Sequence, residues 1–188
     1  MTADYTNFSE AALIIDGEKL YVNVKLLSSA SDYFNKLFNS DFKEKSMNEV
    51  EIKEVGFDDF VMLMNQLKEQ PDDLTTDNYE TLLALADRFL LIPVKNRIET
   101  FIHKSREIER EQKLRLADKY NMELLLEYIL ETYQSRSEFE NMYELTLDFC
   151  DHTRSKLFQK YFWLIRPRVY PSTGAAGCLG YWNRVTEW

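Results

Sequence analysis

The residues that could do covalent chemistry lie close together in the last third of the chain. Cys150 and His152 are separated only by Asp151, and a thiol beside an imidazole is the pair that cysteine nucleophiles use. Neighbouring residues at one helix end do not point at each other, and this pair has no oxyanion site that the sequence reveals. The other histidine, His103, lies beside Lys104 on a predicted helix and is interpreted as a surface residue. We therefore predict no catalytic residue, and a Cys150 nucleophile is the least favoured hypothesis.

The spacing patterns of metal and nucleotide sites are missing as well. The two cysteines and two histidines are scattered, whereas a zinc site needs such ligands at short, fixed spacings. No glycine-rich phosphate-binding loop occurs. The sequence therefore predicts no metal and no cofactor.

One short motif is typical of a binding site instead. Phe42-Lys43-Glu44 stands in a charged stretch directly after a predicted helix. An aromatic ring there can fill an apolar pocket of a partner while the nearby carboxylate satisfies a polar group of that partner. The alternative is that Phe42 folds back over Leu37 and Phe38 and covers this chain's own core.

Composition limits the classes of partner. The chain has 188 residues, 45% of them hydrophobic, which favours a folded protein with a sizeable core. A formal net charge of −9 and the absence of basic runs argue against binding nucleic acid or anionic membranes. Two cysteines are too few for a disulfide framework, and together with the absence of a signal-like N-terminus and of a long apolar run they indicate a cytoplasmic or nuclear protein.

Hydrophobic periodicity places the Phe42 motif between the first predicted helix and the third predicted strand. Two alternating runs flank Asp16-Gly17, which is the strongest short-range signal for a β-hairpin. Asn23 is then predicted to cap a single helix that runs to about Asn39. The other predicted elements are a strand over 49–53 and helices over 57–70, 77–91, 93–104, 107–120, 122–134, 138–150 and 153–165.

A weak internal repeat relates two of these helices. Residues 83–89 match residues 114–120 at an offset of 31, and each unit is followed by a second amphipathic helix. Asp77-x-x-Glu80 is interpreted as a capping box that begins the first unit, and the small Ala86 and Ala117 allow close helix packing. The aspartates at 87 and 118 are interpreted as part of a solvated face. The leucines predicted to lie in the core are Leu83, Leu85, Leu114, Leu116, Leu124 and Leu125.

The order of these elements resembles a BTB/POZ domain over about residues 9–105, closest to the BTB half of the MATH-BTB (BATH) proteins. The resemblance implies an α+β fold, a small and mostly antiparallel sheet packed on a helical cluster, followed by an all-α extension of helical hairpins. The residues that carry it are Gly17, Leu26-Leu27, Ser31-Asp32-Tyr33-Phe34, Val50-Glu51-Ile52, Phe57, Phe60 and Ala86-Asp87-Arg88-Phe89.

The resemblance also implies partners. Phe42 and Glu44 match the hydrophobic-x-Glu motif of BTB domains that bind cullin-3, and the family dimerises through the helix that carries Leu26, Leu27 and Tyr33. Residues 106–135 resemble the helix pair called the 3-box, and 136–165 resemble the start of a BACK domain. Residues 166–188, rich in Pro and Gly, are predicted to be a flexible tail.

Two departures from the family pattern shape the functional hypotheses. Asn23-Val24 replaces a pair that usually ends in Lys, and the eight residues before Ser9 cannot hold a MATH domain. The first hypothesis is a non-enzymatic adaptor that dimerises and recruits cullin-3 into a ubiquitin ligase. The alternative is a scaffold that forms homo- or heterodimers with related BTB proteins without binding cullin, either as a decoy or as the partner of MATH-bearing relatives.

Overall fold

A computed structural model describes residues 10–39, 49–140 and 142–166, which fold into a small sheet packed on helices. Phe42, Glu44 and all of the predicted tail except Arg166 lie outside these residues. The elements in chain order are β1 (Glu10–Ile15), β2 (Glu18–Asn23), α1 (Val24–Ala30), α2 (Asp32–Asn39), β3 (Glu49–Ile52), α3 (Phe57–Asn65), α4 (Tyr79–Arg88), α5 (Ile92–Lys104), α6 (Arg110–Lys119), α7 (Glu123–Thr132), α8 (Ser137–Glu140), α9 (Tyr143–Thr146) and α10 (Asp151–Ile165).

The sheet has the order β2-β1-β3 among the described residues. β1 and β2 form the predicted hairpin, and Asp16 and Gly17 have φ values of 50° and 84°, both positive as a tight type I′ turn requires. β3 pairs in parallel with β1, with Leu13 opposite Val50. The sheet is therefore mixed, with one antiparallel and one parallel pair, and the α+β fold is confirmed.

The first helical segment is where the sequence and the structure differ most. Asn23 caps α1 as predicted, because its Oδ1 accepts a hydrogen bond 3.0 Å long from the Leu26 amide. The helix does not run on to Asn39, however. It ends at Ala30, and Ser31 adopts an extended conformation (φ −149°) that bridges to Leu91 before α2 begins.

The predicted capping box of α4 is also wrong. The helix begins at Tyr79 after Asn78, with no side-chain cap. The Glu80 carboxylate instead accepts hydrogen bonds from the Tyr79 hydroxyl (2.8 Å) and from Gln112 of α6 (2.8 Å). Burial and the hydrogen bond to Glu80 raise the pKa of the Tyr79 hydroxyl. Glu80 therefore joins two helices and leaves its own helix end uncapped.

The remaining helices occur near their predicted positions, but their bounds differ. The helix predicted over 57–70 ends at Asn65, and the one predicted over 107–120 begins at Arg110. Pro93 lies in the first turn of α5, which ends at Lys104 as expected. The single helix predicted over 138–150 is replaced by the short α8 and α9. Leu124 is wrong as a core residue, since it is 74% exposed, whereas Leu125 is buried. No described helix has the length and apolar character that crossing a membrane requires.

Candidate protein-interaction surface

Ser31 fixes the junction between α1 and α2. Its hydroxyl donates to the Phe89 carbonyl at 2.5 Å and accepts from the Phe34 amide at 3.1 Å, which makes it the N-cap of α2. The residue is 3% exposed. One buried hydroxyl thus ends the first helix, starts the second and attaches both to the end of α4.

An aromatic cluster then holds α2 against the rest of the domain. The Phe34 ring lies 5.5 Å from the Phe89 ring in a stacked arrangement and 6.3 Å from the Phe60 ring at an angle of 79°. Tyr33 meets Phe89 edge-on at 5.3 Å, and Phe38 stacks on Phe34 at 6.1 Å. Such pairs add to the energy of burial, so the end of α2 has a fixed position.

The three residues predicted to lie in a dimer interface occupy different environments. Leu26 is 45% exposed on α1, whereas Leu27 is 2% exposed and belongs to the core of its own subunit. Tyr33 is half-buried in the aromatic cluster. Tyr21 on β2, the strand directly before α1, is 70% exposed. That Leu26, Leu27 and Tyr33 contribute to a dimer interface stays a prediction. Of the two leucines, Leu26 has the more exposed side chain.

The strand that follows the Phe42 motif is held by α4. The Arg88 guanidinium donates to the Lys53 and Glu54 carbonyls, both at 2.8 Å, directly after β3. Glu54 has a φ of 58°, and its carboxylate lies 3.8 Å from Arg88. The guanidinium also lies 5.2 Å from the centre of the Phe89 ring. The basic residue of the Ala-Asp-Arg-Phe motif therefore fixes the end of the sheet.

Phe42 and Glu44 themselves lie in the connector 40–48, outside the described residues. The structure therefore describes the two elements that flank the connector but not the motif. α2 before it is fixed by Ser31 and the aromatic cluster, and β3 after it is fixed by β1 and Arg88.

The internal repeat corresponds to a repeated turn. In the first unit the Leu91 amide donates to the Ala86 carbonyl at 2.8 Å across Leu90, whose φ is 51°. In the second unit the Met122 amide donates to the Ala117 carbonyl at 2.8 Å across Asn121, whose φ is also 51°. This is the Schellman motif, in which a left-handed residue ends the helix and an apolar residue packs back on it.

The two aspartates of the repeat make contacts that their interpretation as a solvated face missed. Asp87 accepts a hydrogen bond from Lys95 at 2.6 Å and joins α4 to α5. Asp118 accepts from the Cys150 amide at 3.1 Å and joins α6 to the start of α10. Their position before a basic residue gave no signal of either partner, because each partner lies on another helix and only the packing of the helices brings it close.

Cys150 and His152 do not face each other. The Cys150 thiol contacts the Thr153 hydroxyl at 3.5 Å, and His152 Nε2 lies 2.8 Å from the Glu123 carboxylate. Lys156 also binds Glu123, and its hydrogen bond, followed by that of His152, lowers the pKa of this carboxyl group. The described residues contain no cluster of His, Cys, Asp and Glu that could hold a metal ion.

Comparison with known proteins decides the family. The family model of the BTB/POZ domain matches residues 2–106. The chain belongs to the BTB/POZ family. BTB and MATH domain-containing protein 38 of Caenorhabditis elegans is 30% identical over 158 residues, which are 82% of this chain and 41% of that protein. Protein 15 of the same name and organism is 35% identical over 120 residues, 63% of this chain and 43% of that protein.

The BTB/POZ chain spans less than half the length of these curated relatives. Among solved structures, the BTB domain of human gigaxonin is 24% identical, with a TM-score of 0.43 over 50% of this chain and 77% of that domain. The BTB/POZ domain is a protein-interaction module, so its exposed apolar side chains are candidate contact points for partners.

Proposed function

We propose that this BTB/POZ protein is a non-enzymatic adaptor of the cytoplasm or nucleus that dimerises and recruits cullin-3 into a ubiquitin ligase complex. Phe42 inserts into an apolar pocket of cullin-3 and Glu44 pairs with a polar group beside that pocket. The complex then transfers ubiquitin to proteins that the adaptor's dimer partner or another segment holds.

The observation that carries this proposal is the family match over residues 2–106, which includes the Phe42-Lys43-Glu44 motif. The rigid supports on both sides of the motif add to it. A short connector between fixed ends loses less conformational entropy on binding than a free chain, which favours its use as a contact site.

The test replaces both motif residues. Phe42→Ala with Glu44→Ala is expected to weaken binding to the N-terminal half of cullin-3 by about 2–4 kcal/mol, the range of an interface hot spot. Isothermal titration calorimetry measures this affinity directly. The matched control is Phe162→Ala with Glu144→Ala, which removes an exposed ring on α10 and an exposed acid on α9 and leaves the affinity unchanged.

An unchanged affinity for the double motif variant would exclude Phe42 and Glu44 as the contact. A wild-type chain that does not bind cullin-3 at all would favour the second candidate function, a dimerisation scaffold without cullin. The specific observation in favour of that scaffold is the exposed apolar pair on consecutive elements, Tyr21 of β2 and Leu26 of α1.

Dimerisation has its own test, which also uses a matched pair. Leu26→Asp is expected to convert a dimer into a monomer in sedimentation velocity at micromolar concentration, because it places a charge in the proposed interface. Leu124→Asp makes the same chemical change at an exposed leucine of α7 and leaves the dimer intact. A wild-type chain that sediments as a monomer with and without related BTB proteins would refute the dimer.

A further inference from the structure

A basic pocket opens where the first helical hairpin meets the second. It has a volume of about 550 Å³ and is formed by the end of α5, the connector to α6, and the facing sides of α6 and α7. Four cationic side chains line it, and none of its lining residues, all within the described ranges, is acidic: Lys104, Arg106, Arg110 and Lys113. This concentration of positive charge stands out in a chain whose net charge is −9.

Two of the four cations are already used by the fold. Lys113 is buried and donates to the His103 carbonyl at 3.1 Å and the Ser105 carbonyl at 2.7 Å, which caps the C-terminus of α5. Arg110 forms an ion pair with Glu138 at 2.7 Å, and its guanidinium lies over the Tyr133 ring. These two side chains shape the pocket and have little capacity left for a ligand.

The other two cations are available. Lys104 and Arg106 are exposed, and neither side chain makes a hydrogen bond or ion pair within the described part of the chain. The dipole of α5 accounts for a cation at Lys104, in the last turn of that helix. It does not account for Arg106, which lies beyond the helix end. Two unpaired cations on the rim of one concave site favour an anionic ligand.

The pocket also has an apolar wall. Tyr128 is 38% exposed, and its ring lies 3.7 Å, centre to centre, from the His103 ring, while Ile108 and Ile129 also line the pocket and are buried. A wall of this kind offers nothing to a small inorganic anion, but it suits an apolar side chain with carboxylates beside it. The volume lies in the range that ligand pockets have.

We infer that this pocket binds a short acidic segment of a partner polypeptide, with its carboxylates at Lys104 and Arg106 and an apolar side chain against Tyr128. The pocket lies where the end of the matched BTB/POZ region meets the helices α6 and α7 that follow it. The inference does not rest on the proposed cullin-3 contact at Phe42 and Glu44. The net charge of the chain repels acidic peptides in general, but charges more than about 8 Å away are screened at physiological salt. Local complementarity can therefore decide the binding.

The test uses a fluorescein-labelled peptide of about ten Asp and Glu residues with one central Leu, titrated with the full chain and followed by fluorescence anisotropy. The expected result is saturable binding that Lys104→Glu with Arg106→Glu weakens about tenfold or more, as the loss of two charge-assisted contacts requires. Lys68→Glu with Arg115→Glu is the matched control. It makes the same change in residue types and net charge at exposed positions outside the pocket, and it is expected to leave the affinity within about twofold.

Two further arms separate this inference from its alternatives. A peptide with Ser in place of the central Leu is expected to bind more weakly if the Tyr128 wall takes an apolar side chain. Equal weakening by both charge-reversal pairs, or absence of binding by the wild type, would overturn the assignment. Displacement by millimolar phosphate at constant ionic strength, with no effect of the Leu, would reduce the pocket to a general anion site and also overturn it. None of these results depends on whether cullin-3 binds.

Discussion

The buried hydroxyl of Ser31 gives the sharpest test of how α2 is held. Ser31→Ala removes the N-cap of α2 and leaves two buried groups without their partner, the Phe34 amide and the Phe89 carbonyl. The lost cap costs about 1 kcal/mol and the unsatisfied groups about 1–3 kcal/mol, so the free energy of unfolding is expected to fall by about 2–4 kcal/mol. That is a large fraction of the total stability of a typical domain.

Urea denaturation followed by circular dichroism measures this loss. The midpoint is expected to fall while the slope m stays constant, because the surface exposed on unfolding does not change. Ser29→Ala is the matched control: its hydroxyl donates to the Leu26 carbonyl at 2.8 Å on the exposed side of α1, and its loss is expected to cost less than about 0.5 kcal/mol. Equal midpoints for the two variants would refute the reasoning that Ser31 joins α1, α2 and α4.

Three further predictions concern the core, the repeated turn and the pH dependence of stability. Leu27→Ala is expected to lower the free energy of unfolding by about 2–5 kcal/mol in urea melts, whereas Leu124→Ala leaves the midpoint nearly unchanged, because Leu27 is fully buried and Leu124 is exposed. Asn121→Val is expected to cost about 1–2 kcal/mol and Asn121→Gly almost nothing, since a β-branched residue is strained at a φ of 51°; equal melting temperatures would contradict this. The hydrogen bond from Arg110, followed by those from the Gln134 and Ser135 amides, lowers the pKa of the Glu138 carboxyl to about 2 from 4.5. Its contribution to stability is therefore present above about pH 4.5 and is lost as the pH falls toward 2, so the difference in urea midpoint between wild type and Glu138→Gln is expected to shrink over that range.

The sequence predicted the elements whose signals are local. The Asp16-Gly17 turn, the Asn23 cap and Pro93 at the start of α5 are each set by the chemistry of one or two residues, and all three are confirmed. The order of the predicted elements, which resembles that of a BTB/POZ domain, then predicted the fold class. Residues 26–38 have one continuous apolar face, however, so nothing local marked the break at Ser31. That break depends on the Phe89 carbonyl, a partner 58 positions away.

The errors at helix ends have a similar cause. A helix that ends in a left-handed residue usually shows Gly there, but this chain has Leu90 and Asn121 at those positions. The predicted helix therefore ran on to Leu91, although the backbone turns at Leu90. Leu124, Leu125 and Leu126 follow one another on α7, and the packing of α7 against α6, α5 and α10 decides that Leu125 faces inward and Leu124 outward.

Two consecutive residues of α6 help to dock the second helical hairpin onto the first. Gln112 donates to the Tyr79 hydroxyl (2.9 Å) and to Glu80 (2.8 Å) at the start of α4. Lys113 donates to two carbonyls at the end of α5. Burial lowers the pKa of Lys113, yet its ammonium is held by carbonyls that carry the negative end of the α5 dipole.

This docking determines which charges the basic pocket can offer. Because Lys113 points its ammonium at backbone carbonyls, it fixes the pocket wall and leaves recognition to Lys104 and Arg106. Lys113→Met is therefore expected to lower the stability of the domain more than Lys104→Met does, since it leaves two carbonyls unsatisfied in a buried place. If Lys104 and Arg106 carry recognition, Lys104→Met is expected to weaken binding of the acidic peptide more than Lys113→Met does. The comparison is made at low temperature, where both variants are folded. If Lys113→Met instead weakened binding more than Lys104→Met, the positive charges of the pocket would serve the stability of the fold and not recognition.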